Sequence, residues 1–378
     1  MSKQIYYIGY YDDLSKSVTN RNVVPAATTK MTYICDAINT SDKNVQIVSA
    51  SSTIRGWWAG EETRQILPRT CLKLFSSFGA GKPVKRIFSR WWTKTMMFTY
   101  LLRKLKKEDN VIVYHSLGYM GMIRLLKRLI GFRLILEVEE IYGDVMNSTK
   151  VVAKERKFFE CADAYIFPTQ LLDESVNMDK KPSVIVHGVY QVEPDVAVPE
   201  DDGKIHVVYG GTLDPRKGGA AAAAAAAAYL PDNYRIHILG FGSKAEVEHM
   251  KQHVLQCTLP GHAQVTYDGC ILGDDYTRFI QQCHIGMSTQ NPDAAFNATS
   301  FPSKVLIYLG NGLQVVSIRI PAIEKSAVSH VLHYYDEQTP EKIAEAIMKV
   351  DLTASFDGHA ILKQLDISFR DQIQDILQ

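Results

Sequence analysis

The 378-residue chain lacks the features of exported, membrane-spanning or strongly polyanion-binding proteins. Its N-terminus, MSKQIYYIGYYDDLS, has no apolar signal core, and the chain contains no run of 18 or more apolar residues. Its six cysteines form no CxxC pair, which favours reduced thiols in a core over disulfides or zinc ligands. The formal net charge is only +1. We therefore expect a cytoplasmic globular protein.

What the sequence does contain is a regular alternation of short apolar runs and helical stretches. The strands predicted in the first half are QIYYIGY, VQIVSAS, NVIVYHS, RLILEVEE, AYIFPT and SVIVHG. Helical periodicity is clearest at 92–107, 120–130 and 150–161. Strands separated by helices of this length indicate βαβ units and a parallel sheet.

A second series of the same kind follows an acidic, proline-containing stretch without periodicity, QVEPDVAVPEDDGK. Its predicted strands are KIHVVYGG, YRIHILGFG, QVTYDG, CHIGMST, LQVVSI and HVLHYY. The nine alanines at 220–228 predict a closely packed helix, and another helix is predicted from about Pro340. We predict an α/β fold with these parts: a first domain at 1–190, a linker at 191–204, a second domain at 205–355 and a C-terminal helical segment at 356–378 that packs back on the first domain.

The stretch YGGTLDPRKGG, residues 209–219, carries the first chemical signal. Glycines let a backbone approach a phosphate group, and Arg216 and Lys217 supply positive charge. The alternative is an ordinary strand–turn–helix with a solvated basic pair.

The stretch FPSKVLIYLGNGLQVVS, from Phe301, carries the second signal. Pro302 suits the first turn of a helix, and Ser300 or Ser303 suits its cap. Lys304 adds a cation at the helix N-terminus, which opposes the helix dipole unless an anion is bound there. The alternative is a plain capped helix with an exposed lysine.

Together the two stretches resemble the retaining GT-B glycosyltransferases of the sucrose-synthase and mannosyltransferase type (glycosyl transferases group 1), including those of bacterial polysaccharide synthesis. In that family a G-x-L-x-x-x-K-G loop and a later P-x-K-x-x-E-Y-x-x-x-G-x-P-V helix bracket the donor diphosphate. The chain shows GTLDPRKG, then ILGFG, then FPSKVLIYLGNGLQVV. The resemblance covers about 204–350 and implies two Rossmann-like parallel-sheet domains facing a central cleft.

The resemblance also implies roles for individual residues. Lys217 contacts the donor phosphates and aids catalysis with Arg216, while the donor diphosphate is bound by the following residues: Gly9, Gly210, Gly211, Thr212, Thr299, Pro302, Ser303 and Lys304. The base and ribose lie near Gly240, Gly242 and the loop from Gly269 to Leu272. No cofactor or metal is implied, because the nucleotide-diphosphate sugar, of UDP or GDP type, is a substrate and protein cations stabilise its leaving group.

Three positions depart from the family pattern. Thr212 replaces an arginine after the loop glycine, and Arg216 is the nearest substitute for its charge. Ile307 and Thr299 stand where the family has two glutamates, of which the second usually holds the donor ribose. These departures leave a non-catalytic GT-B partner subunit open as an alternative.

The first half offers two groups of candidate catalytic residues. His115 ends a predicted strand, where GT-B transferases often place a histidine near the sugar, and a histidine without a catalytic role is the equal alternative. Alternation places Glu137 and Glu139 on one face of another strand and Glu140 on the other face. A sugar-nucleotide epimerase on the same fold would need its acid–base pair from this triplet.

Two further patterns bear on partners. His249 and His253 are four residues apart but have no evident third ligand, so a solvated helix face is expected rather than a metal site. Residues 82–107 hold nine lysines and arginines, no acid, and interleaved aromatics. This pattern indicates an anionic membrane surface as partner, and its alternative is a helix with one core face and one solvated basic face. No nucleic-acid module accompanies the charge, so nucleic acid is not expected.

The sequence therefore predicts a glycosyltransferase that moves a sugar from a nucleotide diphosphate to a glycan or polyprenyl-linked glycan, with retention of configuration. It is expected to be cytoplasmic, held peripherally on the inner face of the plasma membrane.

Overall fold

The computed structural model of the chain describes residues 4–13, 20–54, 56–79, 83–216, 218–292 and 299–378. The chain forms two compact units, one of Met1–Val189 with Ser368–Gln378 and one of Tyr190–Ile367. Both are α/β units built on a mainly parallel sheet, which confirms the predicted GT-B class with two Rossmann-like domains.

The described residues of the first unit form ten strands. They are β1 Ile5–Gly9, β2 Val45–Ser49, β3 Trp58–Ala59, β4 Glu62–Leu67, β5 Thr70–Leu74, β6 Ser77–Phe78, β7 Asn110–Tyr114, β8 Arg133–Glu137, β9 Ala164–Phe167 and β10 Ser183–Ile185. Eight of them form one sheet in the order β10-β9-β8-β7-β1-β2-β5-β4, parallel except for β4. The central strands are apolar and buried on both faces, as a parallel sheet covered by helices requires.

The helices of this unit connect successive parallel strands. They are α1 Pro25–Asn39, α2 Pro83–Lys104, α3 Met120–Ile130, α4 Tyr142–Val145, α5 Thr149–Phe159 and α6 Gln170–Val176. The end of α3 is set by Gly131, whose φ of 80° is left-handed and favours glycine. A core of aliphatic and aromatic side chains, including Ile8, Val113, Leu136 and Phe158, packs between sheet and helices.

The second unit has a six-stranded, fully parallel sheet in the order β13-β12-β11-β14-β15-β16. Its strands are β11 Ile205–Thr212, β12 Tyr234–Phe241, β13 Gln264–Gly269, β14 Ile285–Ser288, β15 Gln314–Ile318 and β16 Leu332–Tyr335. Its helices are α7 Gly219–Ala225, α8 Lys244–Cys257, α9 Asp274–Gln281, α10 Lys304–Gly310, α11 Pro321–Glu324 and α12 Pro340–Met348. The alanine run supplies α7 and a 3₁₀ turn at Ala226–Tyr229, and five of its alanines are buried.

The last helix, α13 Gly358–Ile376, has its final residues in the first unit. There Arg370 pairs with Asp36 at 2.9 Å, and the Lys43 ammonium donates to Gln374 Oε1 at 2.8 Å. The Asn110 amide donates to the carbonyl of Leu377 at 2.9 Å. These contacts attach the C-terminal residues to α1 and to the start of the sheet.

The structure differs from the sequence expectation about elements in two places. The helix predicted at 92–107 is α2, which begins at Pro83 and ends at Lys104, because proline fits the first turn. The four short strands β3 to β6 were not predicted. Of these, β4 is a polar edge strand paired antiparallel with β5, so it has little apolar alternation to reveal it.

Candidate functional site

In the second unit, the predicted phosphate-binding glycines lie at the carboxyl end of β11. The Gly210 N–H donates a 2.8 Å hydrogen bond to the hydroxyl of Tyr308, which is fully buried. A methyl group on Gly210 would lie 2.9 Å from the hydroxyl of Tyr276 on α9. Burial raises the pKa of Tyr276 to about 12, so its hydroxyl stays protonated at neutral pH. The strand end is therefore a glycine backbone enclosed by neutral hydroxyl groups.

Lys304 is brought to the same strand end from α10. Its Nζ atom lies 4.0 Å from the centroid of the Tyr209 ring, a cation–π distance. The same atom is 3.3 Å from the position that a Cβ on Gly211 would occupy. The two stretches singled out in the sequence thus meet, with a cation beside a glycine backbone.

Gly240 and Gly242 follow on the neighbouring strand, β12. Gly240 pairs with Gly211, and a Cβ at Gly240 would lie 2.1 Å from the Gly211 carbonyl oxygen. Glycine is therefore required at position 240 for the two strand ends to approach. A Cβ at Gly242 would lie 2.9 Å from a carboxylate oxygen of Glu246, which caps α8 together with Ser243.

Arg216 occupies the loop after β11 and has an acidic partner. Its guanidinium binds both carboxylate oxygens of Asp214, with a shortest distance of 2.7 Å, and its side chain is 90% exposed. The hydrogen bonds that Arg216 donates to the Asp214 carboxylate raise the pKa of Arg216. An anion in this loop would share Arg216 with Asp214. Lys217 lies outside the described residues, and its predicted role stays a prediction.

The start of α10 differs from the sequence expectation. The helix begins at Lys304, so Pro302 lies before its first turn and not within it. Ser303 occupies the cap position in a helical conformation, and its side chain makes no capping hydrogen bond. Thr299 is half-buried before this turn, and Ile307 on α10 is 41% exposed.

In the first unit, Gly9 ends β1 beneath α1. A Cβ at Gly9 would lie 2.6 Å from the sulfur of Met31, so this position is packed against the helix. Tyr11 is buried, and its hydroxyl lies 2.9 Å from Thr32 Oγ1. Asp12 is buried in an ion pair with Arg64.

His115 follows β7 and is only 1% exposed. Its Nε2 lies 2.7 Å from Glu155 Oε1, and the rings of Tyr142, Phe158 and Phe159 surround it. Glu155 also accepts hydrogen bonds from the backbone N–H groups of Tyr142 and Gly143, at 2.9 and 2.7 Å. A catalytic role for His115 stays a prediction, and these contacts fit a histidine that positions the β7 and α4 segments.

The three glutamates of LEVEE do not share one strand as predicted, because β8 ends at Glu137. Glu137 is fully buried and accepts a hydrogen bond from the Tyr7 hydroxyl. Burial, and next the charge of Glu139, raise the pKa of Glu137 to about 8, although Lys30 and the Tyr7 hydrogen bond oppose the shift. Glu139 forms an ion pair of 2.5 Å with buried Lys30. Burial also raises the pKa of Glu140.

Several residues of these two sites could not be identified from the sequence. Tyr308 lies in the apolar helix α10, where a tyrosine is expected to be part of the core, and Tyr276 lies in the mostly polar helix α9 without a motif around it. Lys30 lies in α1 among buried residues, and only the fold brings it to Glu139. Glu155 on α5 carried no motif that linked it to His115.

The first turns of α2 expose apolar and basic side chains together. Val84, Ile87, Phe88 and Trp91 are between 50% and 78% exposed, while Ser89 and Thr93 are buried. Beside them, Trp57 is 78% exposed and Lys85 Nζ lies 5.2 Å from its ring. An open cavity of about 570 Å³ lies here, lined by Gly56, Trp57, Phe78, Gly79, Val84, Lys85 and Phe88. We call this area the α2 surface.

None of the described helices is both long enough and apolar enough to cross a bilayer. On α8, the rings of His249 and His253 stack, and His253 Nε2 lies 3.1 Å from the carbonyl oxygen of Ala221. That nitrogen is therefore already engaged by the backbone.

No protein-family model and no curated protein sequence matches the chain. Solved structures do match its fold along its whole length. An Escherichia coli trehalose-6-phosphate structure bound with UDP-2-fluoro glucose aligns with a TM-score of 0.68 and 10% identity over 99% of this chain and 98% of that one. The α,α-trehalose 6-phosphate synthase of Burkholderia multivorans aligns at 0.69 and 12% identity over 100% and 96%. Anabaena HepE in complex with UDP and glucose aligns at 0.64 and 12% identity over 100% and 99%.

Proposed function

We propose that the protein is a glycosyltransferase that moves a sugar from a nucleotide diphosphate to a glycan or polyprenyl-linked glycan. The observation that carries the proposal is the ammonium group of Lys304 beside the glycine backbone at the end of β11. A diphosphate needs close backbone approach and positive charge, and this strand end offers both. The fold supports it, since two structures of like fold contain bound UDP-2-fluoro glucose or UDP and glucose.

The donor diphosphate would lie against Gly210 and Gly211, with Lys304 as the cation held by packing. Arg216 and Lys217 would add positive charge from the loop. Arg216 would then divide its hydrogen bonds between Asp214 and the diphosphate. The exposed Phe241, between Gly240 and Gly242, presents an aromatic face for the base. The donor would be of the UDP or GDP type.

The reaction would proceed with retention and without a protein nucleophile. The bond from the sugar C1 to the phosphate oxygen breaks, and the acceptor hydroxyl forms the new bond on the same face. The acceptor proton passes to the departing phosphate, whose growing charge is stabilised by Lys304 and by the loop cations. Retention is tested by NMR of the product anomer, and an inverted linkage would contradict it.

The acceptor would be presented at an anionic membrane through the α2 surface. The later turns of α2 have an ordinary core face in which Met97 and Leu101 are buried, whereas its first turns bury Ser89 and Thr93 and expose Phe88 and Trp91. Exposed apolar side chains flanked by Lys85, Arg86 and Arg90 suit the interface of an acidic bilayer. This would hold the protein peripherally on the cytoplasmic face of the plasma membrane.

The activity test incubates the purified chain with UDP- and GDP-sugars and short-chain polyprenyl diphosphate-linked sugars in mixed micelles. Transfer to acceptor, with release of the matching nucleoside diphosphate, is the expected result. The variant Lys304→Met should lose most of the turnover, and Lys342→Met, which changes an exposed lysine paired with Glu345, should retain it.

A second candidate, a non-catalytic GT-B partner subunit, is favoured by Ile307. Its side chain is 41% exposed on α10, at the position where the resembled family places its ribose-binding glutamate. Such a protein would bind another transferase and release no nucleotide with any donor. Ile307→Glu separates the two: tighter nucleotide binding without turnover would favour the partner subunit.

A further inference from the structure

The second unit contains a chain of polar groups that lies apart from the strand ends described above. It begins at His206 near the start of β11 and continues through His237 on β12 to Asp268 on β13. His206 Nδ1 lies 3.0 Å from His237 Nε2, and His237 Nδ1 lies 3.2 Å from Asp268 Oδ2. The two imidazole rings are nearly parallel, with an interplanar angle of 10° and centroids 5.2 Å apart.

The outer end of this chain faces two carboxylates from the segment before β11. His206 Nε2 lies 3.1 Å from Asp202 Oδ1 and 3.7 Å from Glu200 Oε2. His206 is 2% exposed, whereas the two carboxylate side chains are 39% and 44% exposed. Glu200 is held in place through its backbone N–H, which donates to the carbonyl of Gln282 at 3.1 Å.

Counting hydrogens shows that the two neutral imidazoles alone leave one of these contacts without a hydrogen. Three contacts in series, from Asp202 through the two imidazoles to Asp268, need one hydrogen each. Two neutral imidazoles carry only two N–H hydrogens, and an ionised carboxylate accepts but does not donate. The missing hydrogen can come from a cation at His206 Nε2 that frees the imidazole hydrogens for the inner contacts, from a third proton, or from the hydroxyl of Thr266, which lies 3.4 Å from His237 Nδ1 and 2.9 Å from Asp268 Oδ2.

We propose that a divalent transition-metal ion, with zinc as its probe, binds between His206 Nε2, Asp202 and Glu200. With the ion at Nε2, His206 Nδ1–H donates to His237, and His237 Nδ1–H donates to Asp268. Every hydrogen bond is then satisfied by neutral imidazoles. A buried histidine whose second nitrogen is oriented through a chain that ends at a carboxylate is the usual support of a metal ligand.

The distances suit such an ion. Zinc lies about 2.0–2.1 Å from nitrogen and oxygen ligands, so tetrahedral ligands are about 3.3 Å apart. The separations of 3.1 and 3.7 Å from His206 Nε2 bracket that value. All three ligand atoms lie within 4.8 Å of one another, and the exposed carboxylates can close the remaining gap. Water would complete the coordination. The ion would join the segment before β11 to the sheet.

The test is calorimetric titration of zinc chloride into the full-length protein after removal of metals with EDTA. We expect about one tight site per chain. Asp202→Asn, which changes an exposed side chain, should weaken binding at least tenfold, and His206→Gln should remove it. His237→Gln should weaken it about 10- to 100-fold by releasing the His206 ring.

The matched control is His249→Ala, an exposed histidine of the other pair, which should bind zinc as the wild type does. Circular dichroism checks that each variant is folded. If His206→Gln does not fold, the Asp202→Asn variant alone tests whether these residues bind zinc. Two results overturn the proposal: no zinc binding by the wild type, which leaves a third proton or the Thr266 hydroxyl as the source of the hydrogen, or undiminished binding by Asp202→Asn.

Discussion

The ammonium group of Lys304 lies over the ring of Tyr209, 4.0 Å from its centroid. Tyr209 is buried, and burial raises its pKa to about 12, so the ring is neutral and attracts the cation through its π face. The contact holds a lysine at the glycine end of β11 before any ligand arrives. A cation placed in advance costs less ordering when an anion binds.

Replacing Lys304 by methionine should weaken nucleoside-diphosphate binding with little loss of stability. A hydrogen bond to a charged group contributes about 1.5–3 kcal/mol, which corresponds to a loss of affinity of about 10- to 100-fold. Calorimetric titration with the preferred diphosphate measures this. Lys342→Met is the control, and equal affinities for the two variants would remove Lys304 from the donor site.

Gly240→Ala should destabilise the second unit. The new methyl group would lie 2.1 Å from the Gly211 carbonyl oxygen, so β11 and β12 must separate. Overpacking of this kind costs about 1–3 kcal/mol or more. Urea unfolding followed by circular dichroism measures it. Gly121→Ala in α3 is the control, because no atom outside its own turn of helix lies within 4 Å of the position of a Cβ on Gly121. This substitution should be neutral or stabilise the protein by about 0.5 kcal/mol.

Glu137 should make stability fall as pH rises from about 5 to 8. Its folded pKa, about 8, lies above its ordinary value of 4.5, so the native state retains a proton that the unfolded chain releases. Each pH unit in this window then costs up to about 1.4 kcal/mol. Melting temperatures of Glu137→Gln and wild type, measured at several pH values, should diverge in favour of the variant as pH increases.

The comparison needs a control for general pH effects on the fold. Glu345→Gln changes an exposed carboxylate paired with Lys342, and its melting temperature should follow the wild type at every pH. A constant difference between Glu137→Gln and wild type across the window would show that Glu137 is ionised in the native state.

The α2 surface should bind acidic vesicles. Phe88→Ala with Trp91→Ala removes exposed aromatic area, and Lys85→Glu with Arg86→Glu reverses charge without touching the aromatics. In co-sedimentation with vesicles containing anionic lipid, both double variants should bind much less than the wild type. If only the charge variant binds less, the contact is electrostatic, and the insertion of aromatic side chains is refuted.

The sequence predicted most of the sheet because its strands are buried. A strand such as β7, Asn110–Tyr114, is apolar after its first residue and lies between two helical stretches, so the sequence predicted both its type and its position. The same reasoning failed at β4, Glu62–Leu67, whose first four residues are polar and which pairs with β5 at a sheet edge. The conformation of an edge strand depends more on pairing with the neighbouring strand than on the apolar–polar pattern of its own residues.

The sequence predicted residues of the candidate site only where they lie close together in the chain. The glycines after Tyr209 and the lysine at position 304 belong to local stretches with recognisable chemistry. The hydrogen bond from the Gly210 N–H to the Tyr308 hydroxyl joins residues 98 positions apart in the chain. The contact between His115 and Glu155 joins residues 40 positions apart. No local pattern encodes such contacts, so they appeared only with the fold.

The most direct test of the proposed function is a thermal-shift panel of the purified protein with UDP, GDP, ADP, CMP and their sugar conjugates. Ligands that bind only the native state raise its melting temperature. We predict a clear rise with one nucleoside diphosphate and its sugar, and a much smaller rise for Lys304→Met. No rise with any of these ligands would contradict the donor site and would favour the non-catalytic partner subunit.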